Sequence, residues 1–126
     1  MTPTPVRVAV VDDDPSVRKA LGRVLSIANF EAETFASARD FLAALELRTL
    51  NCLVVDLQMP EVSGLELLDH LHYAGINIPS IVITAHSDGG NRERCKSAGA
   101  ASFLLKPLGE GALVRAIYTA IDSRQH

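Results

Sequence analysis

At 126 residues, with 48% apolar and 21% charged side chains, the chain has the composition of one globular domain rather than a disordered segment. Its net charge of −3, from 12 basic against 15 acidic residues, offers no basic patch and argues against a nucleic-acid-binding surface. No run approaches the ~18 apolar residues of a membrane span, and the opening Met1-Thr2-Pro3-Thr4-Pro5 has no apolar signal core, so the expectation is a cytoplasmic protein without membrane contact.

Residues 1–5 read as a disordered tail, 6–122 as the domain and 123–126 as a C-terminal tail. Within the domain, apolar runs alternate with segments of helical period. Val6–Val11 is β-branched and predicts a first strand. Asp14-Pro15 then supplies a capping acceptor and a proline suited to the first helical position. Val17, Ala20, Leu21, Val24 and Leu25 follow at helical spacing and predict one buried stripe. Glu31–Ala36 alternates, as an edge strand with one wet face does. Ser37-Ala38-Arg39-Asp40 resembles a capping box and opens a short helix through Leu45. Cys52–Val55 is continuously apolar and reads as a central strand.

The second half repeats the pattern. Ser63-Gly64-Leu65-Glu66 is a capping box, with Leu65, Leu68 and Leu71, and Leu67 beside them, as the stripe of the helix and Gly75 as its left-handed stop. Ile81–Ile83 predicts a fourth strand, and a weak fourth helix follows from about Asn91 to Ala98, stopped by Gly99. Its late start is expected because the adjacent Gly89 and Gly90 each disfavour helix by roughly 1 kcal/mol relative to alanine. Phe103–Leu105 belongs to a fifth strand, and Leu113, Ala116, Ile117, Ala120 and Ile121 form the stripe of a fifth helix. Such alternation predicts an α/β domain with a doubly wound parallel sheet, covered by helices on both faces.

In these sheets ligands bind beyond the carboxyl ends of the strands. The residues that stand there are Asp12-Asp13-Asp14 after the first strand, Asp56 after the third, Thr84 after the fourth and Lys106-Pro107 after the fifth. Carboxylates converging near ~4 Å repel by about 4 kcal/mol per pair at an effective dielectric of 20. A hard divalent cation such as Mg2+ together with one lysine would relieve that repulsion, and a hydroxyl and an ammonium beside the same point suit a phosphoryl group. The chemistry inferred from the residues is phosphoryl transfer to or near a carboxylate. Asp14 reads as a cap rather than a ligand, and Cys52 and Cys95, without metal-ligand spacing, as reduced thiols. Arg92, Arg94 and Lys96 read as a solvated helix face.

The segments Val-Val-Asp12-Asp13-Asp14-Pro-Ser-Val-Arg, Val-Val-Asp56-Leu-Gln-Met-Pro60, Ile-Val-Ile-Thr84-Ala85 and Lys106-Pro107 resemble the receiver domain of two-component response regulators, over about residues 6–122. The Met59–Leu68 run and the Thr84-Ala85-His86 stretch are most similar to receivers of the nitrogen-fixation regulator type. The resemblance implies the flavodoxin-like strand order 2-1-3-4-5 and assigns roles. Asp56 would be the phosphoacceptor. Mg2+ would be held by Asp13, by Asp12 mostly through water, by Asp56 and by the backbone carbonyl of Gln58. Lys106, in a Lys-Pro bond that is commonly cis, would pair with the phosphoryl group. Thr84 would take a phosphoryl oxygen while Phe103 swings from exposed to buried, small Ala85 leaving room. Gln58 and His86 would tune the lifetime of the phosphate.

The implied partners are a sensor histidine kinase or a phosphotransfer protein, and a possible homodimer through the fourth helix, fifth strand and fifth helix. The implied activity is self-catalysed phosphoacceptance and autodephosphorylation rather than enzymatic turnover. Alternatives are a small Mg-dependent aspartyl-phosphate phosphatase of the haloacid dehalogenase type, a nucleotide- or flavin-binding module, or the receiver part of a longer DNA-binding regulator. The first lacks its Asp-x-Asp-x-Thr run after the first strand, and the second lacks a glycine-rich phosphate loop.

Overall fold

The computed structural model describes residues 5–47, 49–85, 89–109 and 111–124. Strands β1 (Arg7–Val11), β2 (Glu31–Phe35), β3 (Cys52–Asp56), β4 (Ser80–Thr84) and β5 (Ser102–Leu105) alternate with helices α1 (Pro15–Ile27), α2 (Ala38–Leu45), α3 (Gly64–Tyr73), α4 (Gly89–Ser97) and α5 (Ala112–Arg124). The strands are all parallel and lie in the order β2-β1-β3-β4-β5. Every residue of β3 and β4 is buried, because helices cover both faces of these central strands. On one face, Phe41, Leu67, Leu68, Leu71 and Cys95 pack over Val11, Val55 and Val82. On the other, Leu21 and Leu25 of α1 and Leu113 and Ile117 of α5 pack over Val10, Val54 and Ile83.

The helix starts follow local hydrogen bonding. Asp14 caps α1 by accepting the Ser16 amide at 2.8 Å, with Pro15 at the first helical position. Ser63 and Glu66 complete a reciprocal capping box on α3, and Ser37 Oγ accepts the Asp40 amide at the start of α2. Gly75 and Gly99 have φ of 73° and 102°, a conformation in which a Cβ would be strained, and they follow the ends of α3 and α4.

Three sequence expectations need correction. Only Leu21 and Leu25 of the α1 stripe are buried, whereas Val24 is 42% exposed, Ala20 is exposed and Val17 is half-buried. The helix meets the sheet along the Leu21–Leu25 line, and its neighbouring apolar row lines an open groove of about 770 Å3 with Pro107 and Leu108. In α3, Leu67 is central to the core while Leu65 lies at its margin. Helix α4 begins at Gly89 rather than near Asn91. In a helix's first turn the amides lack intrahelical partners in any case, and anchoring by the fully buried Cys95 outweighs the glycines' weak intrinsic preference.

Candidate functional site

Because the strands are parallel, all their carboxyl ends share one edge of the sheet. There β1 neighbours β3, and the Val11–Val55 register sets the next residues, Asp12 and Asp56, side by side. Asp56 is itself in register with Ile83, so Thr84 stands one residue beyond it on β4. Lys106 follows β5 directly, and its amide donates to the Thr84 carbonyl at 2.7 Å. The peptide bond from Lys106 to Pro107 is cis.

These elements bring together the acidic residues and the lysine. Lys106 Nζ lies 2.9 Å from Asp12 Oδ2 and 3.6 Å from Asp56 Oδ2. Asp12 is wholly buried, and its other carboxylate oxygen accepts the Asp14 amide at 2.9 Å. Asp56 is 7% exposed and its Oδ1 accepts the Gln58 amide at 3.3 Å. Asp13 is exposed at the mouth. One oxygen from each of Asp12, Asp13 and Asp56 lies within 4.8 Å of the other two. Three hard carboxylate donors, one of them open to water, suit a small divalent cation such as Mg2+, which prefers a few carboxylates and retained waters.

Burial, and after it the neighbouring Asp12 charge, push the Asp56 carboxyl above its ordinary value, against the opposing pull of Lys106 and the Gln58 amide. Burial alone would lower Lys106, but its hydrogen bond to Asp12 and the charges of Asp12 and Asp56 raise it overall, so the ammonium form is favoured. The result is a positive charge held against two crowded carboxylates.

The remaining sites fall as follows. Thr84 is buried, Ala85 is exposed and Phe103 is half-buried. His86 lies outside the described residues. Both cysteines are buried, and burial pushes the Cys52 thiol up to about 12, as expected of an inert core thiol.

Three neighbours of the site escaped the sequence reading. Arg18 donates from Nη1 to the Asp12 carbonyl at 2.7 Å and ties α1 to the acidic loop. A Cβ at Gly64 would stand 2.4 Å from the Asp56 carbonyl oxygen, so only glycine lets α3 begin this close to β3. Arg92, assigned to a solvated face, holds its guanidinium 5.8 Å from the centre of the Phe103 ring. The glycine inside the α3 capping box was the one local signal of these contacts; the two arginines had none.

A doubly wound sheet with an acidic cluster and a lysine at its carboxyl edge is the arrangement of a receiver domain. Residues 8–118 match the family model for the response regulator receiver domain, and the chain belongs to that family. It is 42% identical over 120 residues to the transcriptional regulatory protein FixJ of Rhizobium meliloti, covering 94% of this chain and 58% of that protein. It is 36% identical over 115 residues to nodulation protein W of Bradyrhizobium diazoefficiens, covering 91% of this chain and 51% of that protein. The crystal structure of FixJ-N superposes with a TM-score of 0.87 at 39% identity, covering 94% of this chain and 95% of that one. The low-resolution structure of the response regulator StyR has a TM-score of 0.87 at 42% identity, covering 97% of this chain and 64% of that one. The domain is thus a FixJ-like receiver, and it spans about half the length of the curated relatives it matches. Among the described residues, no helix is long and apolar enough to cross a membrane.

Proposed function

We propose that the domain is a phosphorylation-driven switch whose phosphoacceptor is Asp56. The observation that carries the reading is the contact of Lys106 with both Asp12 and Asp56, at 2.9 and 3.6 Å, beside the exposed Asp13. A carboxylate oxygen of Asp56 attacks the phosphorus of a phosphohistidine on a sensor kinase or phosphotransfer protein. The new O–P bond forms as the P–N bond breaks, and the imidazole leaves and takes up a proton. Lys106 and Thr84 receive phosphoryl oxygens, and Ala85 leaves them space. Asp12, Asp13, Asp56 and the Gln58 carbonyl would hold Mg2+, which supplies neutralisation of the charge gathered at the reacting group. Hydrolysis of the acyl phosphate by water returns Asp56, with Gln58 and His86 setting its pace.

The apolar groove between α1 and the segment after β5 is lined by Val17, Ala20, Val24, Lys106 and Leu108. Helix α1 carries Arg18, Lys19 and Arg23 and no acid. This groove suits the apolar face of a helix bearing the donor histidine. Phosphorylation then alters the α4-β5-α5 face, through which the domain dimerises or meets its output partner. Incubation with acetyl phosphate and Mg2+ is expected to add one phosphoryl group by intact-mass measurement, and Asp56→Asn to abolish it. The same label on the variant would end the assignment.

A further inference from the structure

Strand register sets Thr84 and Phe103 on one face of the sheet. Val82 is in register with Phe103 and Thr84 with Leu105, so Thr84 and Phe103 point to the same face of the sheet from adjacent strands, two residues apart in register. Phe103 packs at the margin of the core cluster that includes Val82 and Cys95. Its outer side is covered from α4, where the Arg92 guanidinium carbon stands 5.8 Å from the ring centre. Arg92 and Lys96, one turn apart, line a groove of about 380 Å3 with Phe103 and residues 100–102. The ring thus lies between the core cluster on its inner side and the cation on its outer side.

We propose that Arg92 is a latch on Phe103, holding its ring in the half-buried position by a cation–π contact and released when Thr84 is drawn toward a phosphoryl group, the movement that the resemblance to receivers implies. This rests on the phosphoacceptor reading and adds a regulatory residue to it. The latch biases the unphosphorylated domain toward its resting arrangement and makes phosphorylation less favourable by the strength of one contact.

The contact is exposed, so its removal is expected to change the balance about two- to fivefold. In Arg92→Gln, the 13C-labelled Phe103 ring resonances of the unphosphorylated protein should move part of the way toward their phosphorylated positions. Phosphorylation by acetyl phosphate should quicken about two- to fivefold. Arg94→Gln removes the same charge from the same helix without touching the ring, and should leave both readouts at the parental value. In a Phe103→Leu background, Arg92→Gln should have no further effect. Unchanged ring resonances in Arg92→Gln, equal acceleration by Arg94→Gln, or an undiminished effect without the ring would each overturn the latch. Failure of the parent to take up a phosphoryl group on Asp56 would instead overturn the phosphoacceptor reading, while the ring resonances of the unphosphorylated variant still report on the latch.

Discussion

Replacing Lys106 by methionine is expected to destabilise the metal-free domain strongly, and to do so less when Asp56 has already lost its charge. At 2.9 and 3.6 Å from Asp12 and Asp56, each attraction of the ammonium is on the order of 5 kcal/mol at an effective dielectric of 20. Desolvation offsets much of that while the pair is intact. Once Lys106 is gone, the wholly buried Asp12 keeps its desolvation cost without its counter-charge. Removing one partner of a buried ion pair typically costs about 3–5 kcal/mol. The Lys106 side chain is 22% exposed, so the lower end, about 3 kcal/mol, is expected. With a urea m-value of about 2 kcal/mol/M, the midpoint in EDTA at neutral pH should fall by about 1.5 M. Asp56→Asn removes the repulsion between Asp56 and Asp12 and should itself raise the midpoint. In that background Lys106 has one carboxylate partner rather than two, and its loss should cost measurably less. A Lys106→Met midpoint at the parental value, or an equal loss in both backgrounds, would refute the reasoning.

Other expectations follow from the same geometry. Asp13→Ala should be more stable than the parent without metal, because it relieves the carboxylate cluster; Mg2+ at ten times its dissociation constant should stabilise the parent by about 1.4 kcal/mol and the variant far less, measured by thermal unfolding. Gly64→Ala forces a Cβ against the Asp56 carbonyl, so a loss of about 1–3 kcal/mol and slower phosphorylation by acetyl phosphate are expected. Because the folded-state Asp56 carboxyl lies above its ordinary 3.8, the native state keeps this proton longer than the unfolded chain, and the Asp56 contribution to stability declines as pH rises from there through the raised value. In EDTA the advantage of Asp56→Asn over the parent should therefore grow with pH and then level off; an advantage that shrinks across that window would contradict the shift. Cys52, pushed up to about 12, should resist iodoacetamide at mildly alkaline pH until urea unfolds the chain.

The sequence by itself determined the order and kind of the elements. Helix caps and strand patterns are local: Asp14, Ser37 and Ser63 cap helices with their own neighbours, and the apolar runs of β3 and β4 declare their burial residue by residue. It also placed Asp12, Asp13, Asp56, Thr84 and Lys106 at strand ends, since a strand end is a one-dimensional fact. Bringing those ends together was a tertiary matter. Lys106 meets Asp12 across 94 positions of chain only because β1, β3, β4 and β5 are ordered and registered as they are, and no periodicity within a segment carries that order; at the sequence level the resemblance to receivers supplied it. Packing likewise chose which of two apolar rows on α1 faces the sheet and let buried Cys95 anchor a helix whose first residues are glycines. It also laid Arg92 over Phe103 and Arg18 against the Asp12 carbonyl. Long, charged side chains read as solvated in any local pattern, and only the surface beneath them decides what they cover.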